Sequence, residues 1–315
     1  MAPESRFEQS RIAITGGTGF LGAHVVRELE RHAYRRLMVV RHADFDLTRE
    51  ADVARMYAEL RPDVVIHLAA NVGGIGANQK NPGRYFYANL KMGLELIEQG
   101  RQHGVTKLVI AGTVCAYPKH APVPFRELDL WNGYPEETNA PYGIAKKALL
   151  VQAQAYREQY GLDAIYLLPV NLYGPHDNFD LDSSHVIPAL IRKIDQAMQR
   201  GERVVKLWGT GQATREFLYV EDAANAMRLA LERYDGKEPV NLGSGEEIRI
   251  DELAELIGRL SGFSGRFEYD PARPDGQPRR RLDTTRAREW LGFVPTVGLE
   301  EGLRRTIAFY RQARA

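Results

Sequence analysis

Tyr142 and Lys146 are the first residues whose types and spacing suggest chemistry. They stand four residues apart at the start of a helical pattern, so both side chains would lie on one face of that helix. An ammonium beside a phenol favours the phenolate and lowers its pKa toward neutral pH. A tyrosine in that setting can pass a proton to or from a carbonyl oxygen. The hydroxyl of Thr113 ends an upstream β-like run and is a third candidate for the same site.

Cys115 is the only cysteine of the chain and lies two residues after Thr113. A lone cysteine is most often a small, buried and inert apolar residue. The alternative is a thiol that exchanges protons with a substrate, which thiols can do near neutral pH when a cation or cofactor stabilises the thiolate. A single cysteine excludes an internal disulfide framework and fits a reducing compartment.

The stretch TGGTGFLG, residues 15–22, follows a β-like run and opens a helical one. The glycines Gly16, Gly19 and Gly22 permit a tight turn and a close approach of the backbone to a pyrophosphate. The N–H groups at the start of the following helix would then face the phosphates. This strand, turn and helix predict a dinucleotide-binding site.

The end of the second β-like run bears on which dinucleotide is bound. NAD enzymes normally carry an acid there to hold the adenosine ribose hydroxyls. This chain has Arg41 at that place, and an arginine can pair with a 2′-phosphate. The pattern therefore favours NADP, while the nearby Asp44 and Asp46 leave NAD as the alternative.

Elements that could position these residues alternate along the first half of the chain. β-rich runs lie at 11–15, 36–40, 63–70, 107–112 and 164–170, and long helical patterns at 19–33, 50–60, 83–103 and 142–160. This alternation predicts a Rossmann-type, doubly wound parallel sheet that binds ligands at the carboxyl ends of its strands. We predict a dinucleotide-binding domain over residues 1–171, to which about 219–243 returns, and a smaller α/β lobe over 172–315.

The glycine turn, Thr113 and the Tyr142–Lys146 pair together resemble the extended short-chain dehydrogenase/reductase family across nearly the whole chain. Within that family, five further segments resemble the GDP-L-fucose synthases: NVGGIGAN, CAYP, NLYGPHDNF, SSHVIPAL and WGTGQATREFLYVED. The resemblance implies epimerisation at carbons 3 and 5 of a GDP-4-keto-6-deoxy-hexose, followed by NADPH-dependent reduction at carbon 4. It makes residues 172–315 a nucleotide-sugar-binding lobe.

The resemblance also assigns roles to individual residues. As catalytic residues it implies Thr113, Tyr142 and Lys146 for the reduction, with Cys115 and His185 as the acid–base pair of the epimerisation. For the substrate it implies Asn171, Lys193, Trp208 and Arg215, the last suited to a diphosphate. For the cofactor, the turn and the strand ends predict Gly16, Gly19, Phe20, Leu21, Gly22, Arg41, Asp46, Leu47, Leu68, Ala69 and Ala70. No cluster has metal-ligand spacing, so no metal is expected.

Two features depart from the pattern of the GDP-L-fucose synthases. Thr113 replaces the usual serine, and its extra methyl crowds the position of the carbon-4 oxygen. Thr18 stands in the glycine turn where some of these enzymes place an arginine for the 2′-phosphate. The sequence therefore leaves open both the exact sugar and the choice between NADP and NAD.

Three interpretations of the function stay open at this point. The first is an epimerase and reductase, and the second is a redox-neutral GDP-sugar epimerase that uses NAD catalytically. The third, a sensor without activity, is disfavoured because both Tyr142 and Lys146 are present.

The composition limits the partners that we expect. A formal net charge of +1 gives no overall attraction to nucleic acid. The basic run RPDGQPRRRLD is a solvated loop, a nucleic-acid patch or a pocket for a substrate diphosphate. No apolar run reaches membrane-spanning length, and no secretory signal is visible, so the cytoplasm is the expected location. The resemblance implies a homodimer that pairs through the helices at 83–103 and 142–160.

Overall fold

The computed structural model describes residues 7–273 and 275–314. The strands are β1 (Ile12–Thr15), β2 (Leu37–Val40), β3 (Val64–His67), β4 (Lys107–Ala111), β5 (Ala164–Pro169), β6 (Asn171–Tyr173), β7 (Val204–Trp208), β8 (Thr214–Tyr219), β9 (Val240–Leu242), β10 (Glu247–Arg249) and β11 (Arg266–Asp270). The helices are α1 (Phe20–Arg31), α2 (Glu50–Leu60), α3 (Ile75–Lys80), α4 (Pro82–Gln102), α5 (Ala140–Tyr160), α6 (Val186–Gln199), α7 (Val220–Arg233), α8 (Ile250–Ser261) and α9 (Leu299–Arg314).

The main sheet is parallel and has the strand order β2-β1-β3-β4-β5-β9. Strands β1, β3 and β4 are buried along their whole length, as expected for strands covered on both faces. Helix α1 packs against α7, while α4 packs against both α2 and α5. These helices form the two layers over the sheet, and the predicted Rossmann-type α/β fold is confirmed.

A smaller lobe contains a sheet in the order β10-β8-β6 and the parallel pair β11-β7. Helices α6 and α8 pack against each other, and α8 also packs against α9. Their apolar side chains build a second hydrophobic cluster, separate from the one around the main sheet. We propose, on the basis of these two clusters, the division at residue 171 with the return of 219–243 through α7 and β9.

The described residues contain no helix that is long and apolar enough to cross a lipid bilayer.

Candidate active site

A cavity of about 910 Å³ lies between the main sheet and the smaller lobe. Its floor consists of the segments that follow β1, β3, β4 and β5, and α6, β7 and β8 contribute the opposite wall. The carboxyl ends of parallel strands meet at one edge of the sheet, which explains why segments so distant in the sequence come together here.

The glycine turn after β1 forms one end of this cavity. Gly16 has φ +71°, and a Cβ at Gly22 would lie 2.0 Å from the carbonyl oxygen of Gly16. Only glycines therefore allow α1 to start this close to the strand. Gly19 immediately precedes α1, and Thr18, Phe20 and Leu21 also line the cavity. The first turn of α1 thus offers its N–H groups to a bound anion.

The predicted cofactor residues after β3 lie at the same end. Leu68, Ala69 and Ala70 all line the cavity, and a Cβ at Gly16 would come within 2.7 Å of the Ala69 nitrogen. The backbone is therefore tightly packed around the turn, with a smooth apolar wall beside it. Apolar side chains of this kind suit the flat rings of a nicotinamide dinucleotide.

The residues predicted for the adenosine end lie apart from the cavity lining. Arg41 is exposed at the carboxyl end of β2, and the pairing of Val40 with Thr15 puts it beside the glycine turn. The Asp46 carboxylate accepts hydrogen bonds from the backbone and hydroxyl of Thr48, and the hydroxyl bond is the main cause of its lowered pKa.

Leu47 is buried in the main hydrophobic cluster. Its side chain packs into the protein interior, because its apolar surface is removed from water there, and the contact of Leu47 with the cofactor stays a prediction.

Thr113, Tyr142 and Lys146 come together at this cavity, as the sequence led us to expect. Tyr142 and Lys146 are both buried on α5 and line the cavity with Thr113. Burial lowers the pKa of Lys146 to about 8. Burial, together with the nearby Cys115, also raises the pKa of Tyr142, and a hydrogen bond with Thr113 acts in the opposite direction. The pKa of Tyr142 thus lies above its ordinary value and not below it, contrary to the expectation based on Lys146, and Tyr142 stays protonated at neutral pH.

Cys115 is half-buried beside this group, in a short 3-10 helix over Val114–Ala116. Its N–H donates to the Thr113 hydroxyl oxygen over 3.2 Å. On the other side, α5 approaches so closely that a Cβ at Gly143 would lie 2.3 Å from the Cys115 carbonyl oxygen. The Cys115 backbone is therefore held by Thr113 and by the glycine of α5, and Cys115 lines the cavity.

The close approach of Gly143 gives a first prediction. Gly143→Ala should lower turnover about tenfold to a hundredfold, because the new methyl must push the Cys115 backbone aside and small displacements of reacting groups are costly. Steady-state kinetics on the purified variant measures this. Gly83→Ala is the matched control, since a Cβ there meets nothing within 4 Å. Equal turnover in the two variants would contradict the proposed role of this contact.

His185 immediately precedes α6, on the opposite side of the cavity, and its side chain makes no capping hydrogen bond to the helix. Its ring can be reached from the cavity, yet the protein atoms around it lower its pKa by desolvation, with a smaller contribution from Arg280. The imidazole is therefore neutral at pH 7 and can accept a proton.

Two buried arginines lie at the far end of the cavity. Arg215, on β8, donates to the backbone oxygens of Thr214 and Asp275 over 2.7 and 2.8 Å. Burial and the neighbouring Arg280 lower the pKa of Arg215 to about 9. Two guanidiniums that are removed from water and repel each other form a site for an anion with two charges, such as a diphosphate.

Arg280 was not singled out by sequence reasoning. It belongs to the basic run around residues 278–281, for which a diphosphate pocket was one of three interpretations. Its side chain donates to the Asn171 side-chain oxygen over 3.1 Å, which ties a second predicted substrate residue, after Arg215, into the same end of the cavity. The basic run is the feature of the sequence that could have indicated this residue. Only the fold distinguishes Arg280 from the other arginines of the run.

The remaining predicted substrate residues also line the cavity. The ring of Trp208 is half exposed and lies 3.6 Å from the position of a Cβ on Gly76. The Arg273 guanidinium stands 5.0 Å from the centre of that ring. Lys193 donates to the backbone oxygen of Lys206, and burial lowers its pKa.

The chain is similar to known proteins over most of its length. The family model "NAD dependent epimerase/dehydratase family" matches residues 12–243. The chain is 43% identical to GDP-L-fucose synthase 1 of Arabidopsis thaliana, with 96% of this chain and 94% of the relative covered. It is 38% identical to GDP-L-fucose synthase of Escherichia coli (strain K12), with 96% and 97% covered.

A solved structure is similar over the same length. The GDP-L-fucose synthetase from Naegleria fowleri bound to NADP has a TM-score of 0.86 and 27% sequence identity, and the match covers 96% of this chain and 94% of that one. The chain therefore belongs to the NAD dependent epimerase/dehydratase family and, within it, to the GDP-L-fucose synthases.

Proposed function

We propose that this protein converts GDP-4-keto-6-deoxymannose to GDP-L-fucose, by epimerisation at carbons 3 and 5 and reduction at carbon 4 with NADPH. One observation carries the proposal. One cavity is lined both by a thiol and a neutral imidazole and by Thr113, Tyr142 and Lys146. A simple keto-reductase needs only the second set of groups.

We assign the GDP diphosphate to the two buried guanidiniums of Arg215 and Arg280. Both guanidiniums are removed from water and repel each other, and two negative charges bound between them would compensate both effects. Trp208 then offers an apolar face, and Lys193 a cation, at the same wall. Anchoring one end of the substrate here leaves the sugar to reach Cys115 and Tyr142.

We assign the epimerisation to Cys115 and His185. Protons on carbons 3 and 5 are acidic because both carbons flank the carbon-4 ketone. Inversion requires a proton acceptor on one face of the carbon and a donor on the other. The neutral imidazole of His185 can accept a proton, and the thiol of Cys115 is the second group that can exchange one with the substrate.

We assign the reduction to Thr113, Tyr142 and Lys146. The glycine turn, the start of α1 and the segment 68–70 would hold NADPH, which supplies the hydride for carbon 4. The protonated Tyr142 donates its proton to the carbon-4 oxygen, and the Thr113 hydroxyl hydrogen-bonds the same oxygen. The ammonium of Lys146 then stabilises the phenolate that Tyr142 becomes.

The direct test mixes the purified protein with GDP-4-keto-6-deoxymannose and follows the oxidation of NADPH and of NADH in parallel. Rapid NADPH oxidation with GDP-L-fucose as the product would support the proposal. Inversion of an unmodified GDP-hexose without net cofactor consumption would instead establish a redox-neutral epimerase.

The preference for NADPH gives a second prediction. Arg41→Ala should lower kcat/KM for NADPH about 10- to 100-fold, because a charge-assisted contact with the 2′-phosphate is worth about 1.5–3 kcal/mol. The value for NADH should change little. Arg36→Ala is the control, since Arg36 is exposed at the opposite end of β2. A parallel loss with both cofactors would contradict this role of Arg41.

We propose that the protein acts as a homodimer in the cytoplasm, where a free thiol stays reduced. Helices α4 and α5 pack together and still expose large apolar side chains. Tyr87 and Leu94 on α4 and Val151 on α5 are 61%, 38% and 48% exposed. An apolar face of this kind, built from two long helices, is suited to a second copy of the chain.

The dimer gives a third prediction. The double substitution Leu94→Glu and Val151→Glu should halve the mass measured by light scattering, because charges on both helices would be buried without partners. Val294→Glu is the control, since Val294 is 60% exposed outside these helices. An unchanged mass in the double variant would exclude this face as the interface.

A further inference from the structure

Gln277 connects two parts of the cavity that have different tasks. Its side chain is almost fully buried, at 2% exposure, and borders the cavity. The side-chain amide nitrogen donates to the backbone oxygens of Pro118 and Lys119 over 3.0 and 3.2 Å. Its side-chain oxygen accepts a hydrogen bond from Arg280 over 3.2 Å. Every polar atom of this amide group thus takes part in a bridge.

One end of the bridge is the segment that carries Cys115. The 3-10 helix over Val114–Ala116 runs through Tyr117 into Pro118 and Lys119, whose carbonyl oxygens accept hydrogen bonds from Gln277. Upstream, the backbone at Cys115 is fixed by the Thr113 hydroxyl. The backbone around Cys115 is therefore held on both sides, by Thr113 upstream and by Gln277 downstream.

The other end of the bridge is the proposed diphosphate site. Arg280 uses its Nε for Gln277 and one terminal nitrogen for Asn171, so its guanidinium has a fixed orientation. Gln277 belongs to the same short segment as Asp275, whose backbone oxygen accepts from Arg215. Any anion bound between the two arginines therefore acts on the segment that also holds the Cys115 loop.

We propose that Gln277 is a positioning residue, which makes the placement of the Cys115 thiol depend on occupation of the diphosphate site. This inference rests on the proposed function, because it takes GDP as the group that occupies Arg215 and Arg280. GDP bound at Arg280 restrains Gln277, which in turn restrains residues 118 and 119 and the thiol before them.

The test uses Cys115 as its own reporter, because it is the only cysteine of the chain. Alkylation of the full-length protein with iodoacetamide is timed by mass spectrometry, with and without saturating GDP, and calorimetry measures GDP binding in parallel. In the unaltered protein, GDP should slow labelling at least threefold. In Gln277→Met, GDP should still bind within about tenfold of the original affinity, but the labelling rate should no longer respond to it.

A second variant separates the two ends of the bridge. Gln277→Glu keeps an acceptor for Arg280 but loses the donor to the backbone oxygens of Pro118 and Lys119, so it too should abolish the response to GDP. Gln212→Met, at an exposed glutamine, should behave as the unaltered protein does. Melting curves of all variants verify that they are folded, and Gln277→Glu decides the matter if Gln277→Met is not.

The outcomes separate the two proposals. GDP that protects Cys115 equally in the unaltered protein and in both Gln277 variants acts by direct shielding, which would overturn the role of Gln277 alone. The same holds if GDP binds the unaltered protein without any effect on labelling. Failure of GDP to bind the unaltered protein would overturn the proposed substrate and the inference with it.

Discussion

Cys115→Ser is expected to abolish formation of GDP-L-fucose while leaving a slow oxidation of NADPH by GDP-4-keto-6-deoxymannose. A serine hydroxyl is a far weaker acid than a thiol, so it cannot exchange protons with carbons 3 and 5 at neutral pH. Loss of one member of an acid–base pair lowers the rate about 10²- to 10⁴-fold. The Tyr142–Lys146 pair is untouched, so the ketone of the unepimerised sugar is still reduced.

Product analysis distinguishes this result from a general loss of activity. The variant should release a GDP-6-deoxyhexose that keeps the original configuration at carbons 3 and 5. His185→Gln should give the same type of product, because His185 is the other member of the pair. A Cys115→Ser protein that makes GDP-L-fucose at the original rate would return the thiol to the role of an inert packing residue.

Lys146→Met is expected to remove the reduction and to stabilise the fold at the same time. The chain buries the ammonium without full compensation, which lowers its pKa from 10.5 to about 8. A pKa lowered by that amount corresponds to about 3 kcal/mol. This is the order of magnitude by which Lys146→Met should raise the free energy of unfolding at pH 7. Turnover should fall about 10³-fold or more, because the phenolate of Tyr142 loses its counter-charge.

The pH dependence of this gain follows from the direction of the pKa. Below pH 8 the lysine is charged in both the folded and the unfolded chain, so the full cost of burial is present and methionine removes all of it. Between pH 8 and 10.5 the folded chain loses its proton first, so the gain declines, and above 10.5 it vanishes. Urea unfolding of the protein at pH 7 and pH 11 measures it.

Lys147 provides the matched control for that experiment. It is the next residue and is also buried, but it donates to the backbone oxygen of Leu130 and lies 4.3 Å from the centre of the Trp131 ring. Burial lowers the pKa of Lys147 as well, but the contacts with Leu130 and Trp131 offset that cost, so Lys147→Met should gain clearly less stability than Lys146→Met. An equal or larger gain in Lys147→Met, or a destabilised Lys146→Met, would contradict burial of the Lys146 charge as the source of the gain.

Features with a local signal were predictable from the sequence. The glycine spacing at residues 16–22 and the four-residue spacing of Tyr142 and Lys146 each describe one turn of backbone, so they survive folding unchanged. The alternation of strands and helices is read from one local segment after another, and it predicted the parallel sheet. The edge of that sheet then brought Thr113 and Cys115 beside α5.

Contacts between distant segments were not predictable in this way. Gln277 meets Pro118 across 159 positions, and Arg280 meets Asn171 across 109, so no periodicity links them. The pKa of Tyr142 differs from expectation because desolvation depends on the whole surrounding fold. Leu47 lies shortly after the second strand, which is why it was predicted to bind the cofactor. The burial of its side chain in the main hydrophobic cluster was not predictable from that position.

The most direct test of the account follows the atoms through a single reaction in heavy water. GDP-4-keto-6-deoxymannose and NADPH are incubated with the protein in D₂O, and the product sugar is examined by mass spectrometry and NMR. We expect GDP-L-fucose with solvent deuterium at both carbon 3 and carbon 5 and with cofactor hydrogen at carbon 4. A reduced product without solvent deuterium at those two carbons would show that this cavity reduces but does not epimerise, and would contradict the account.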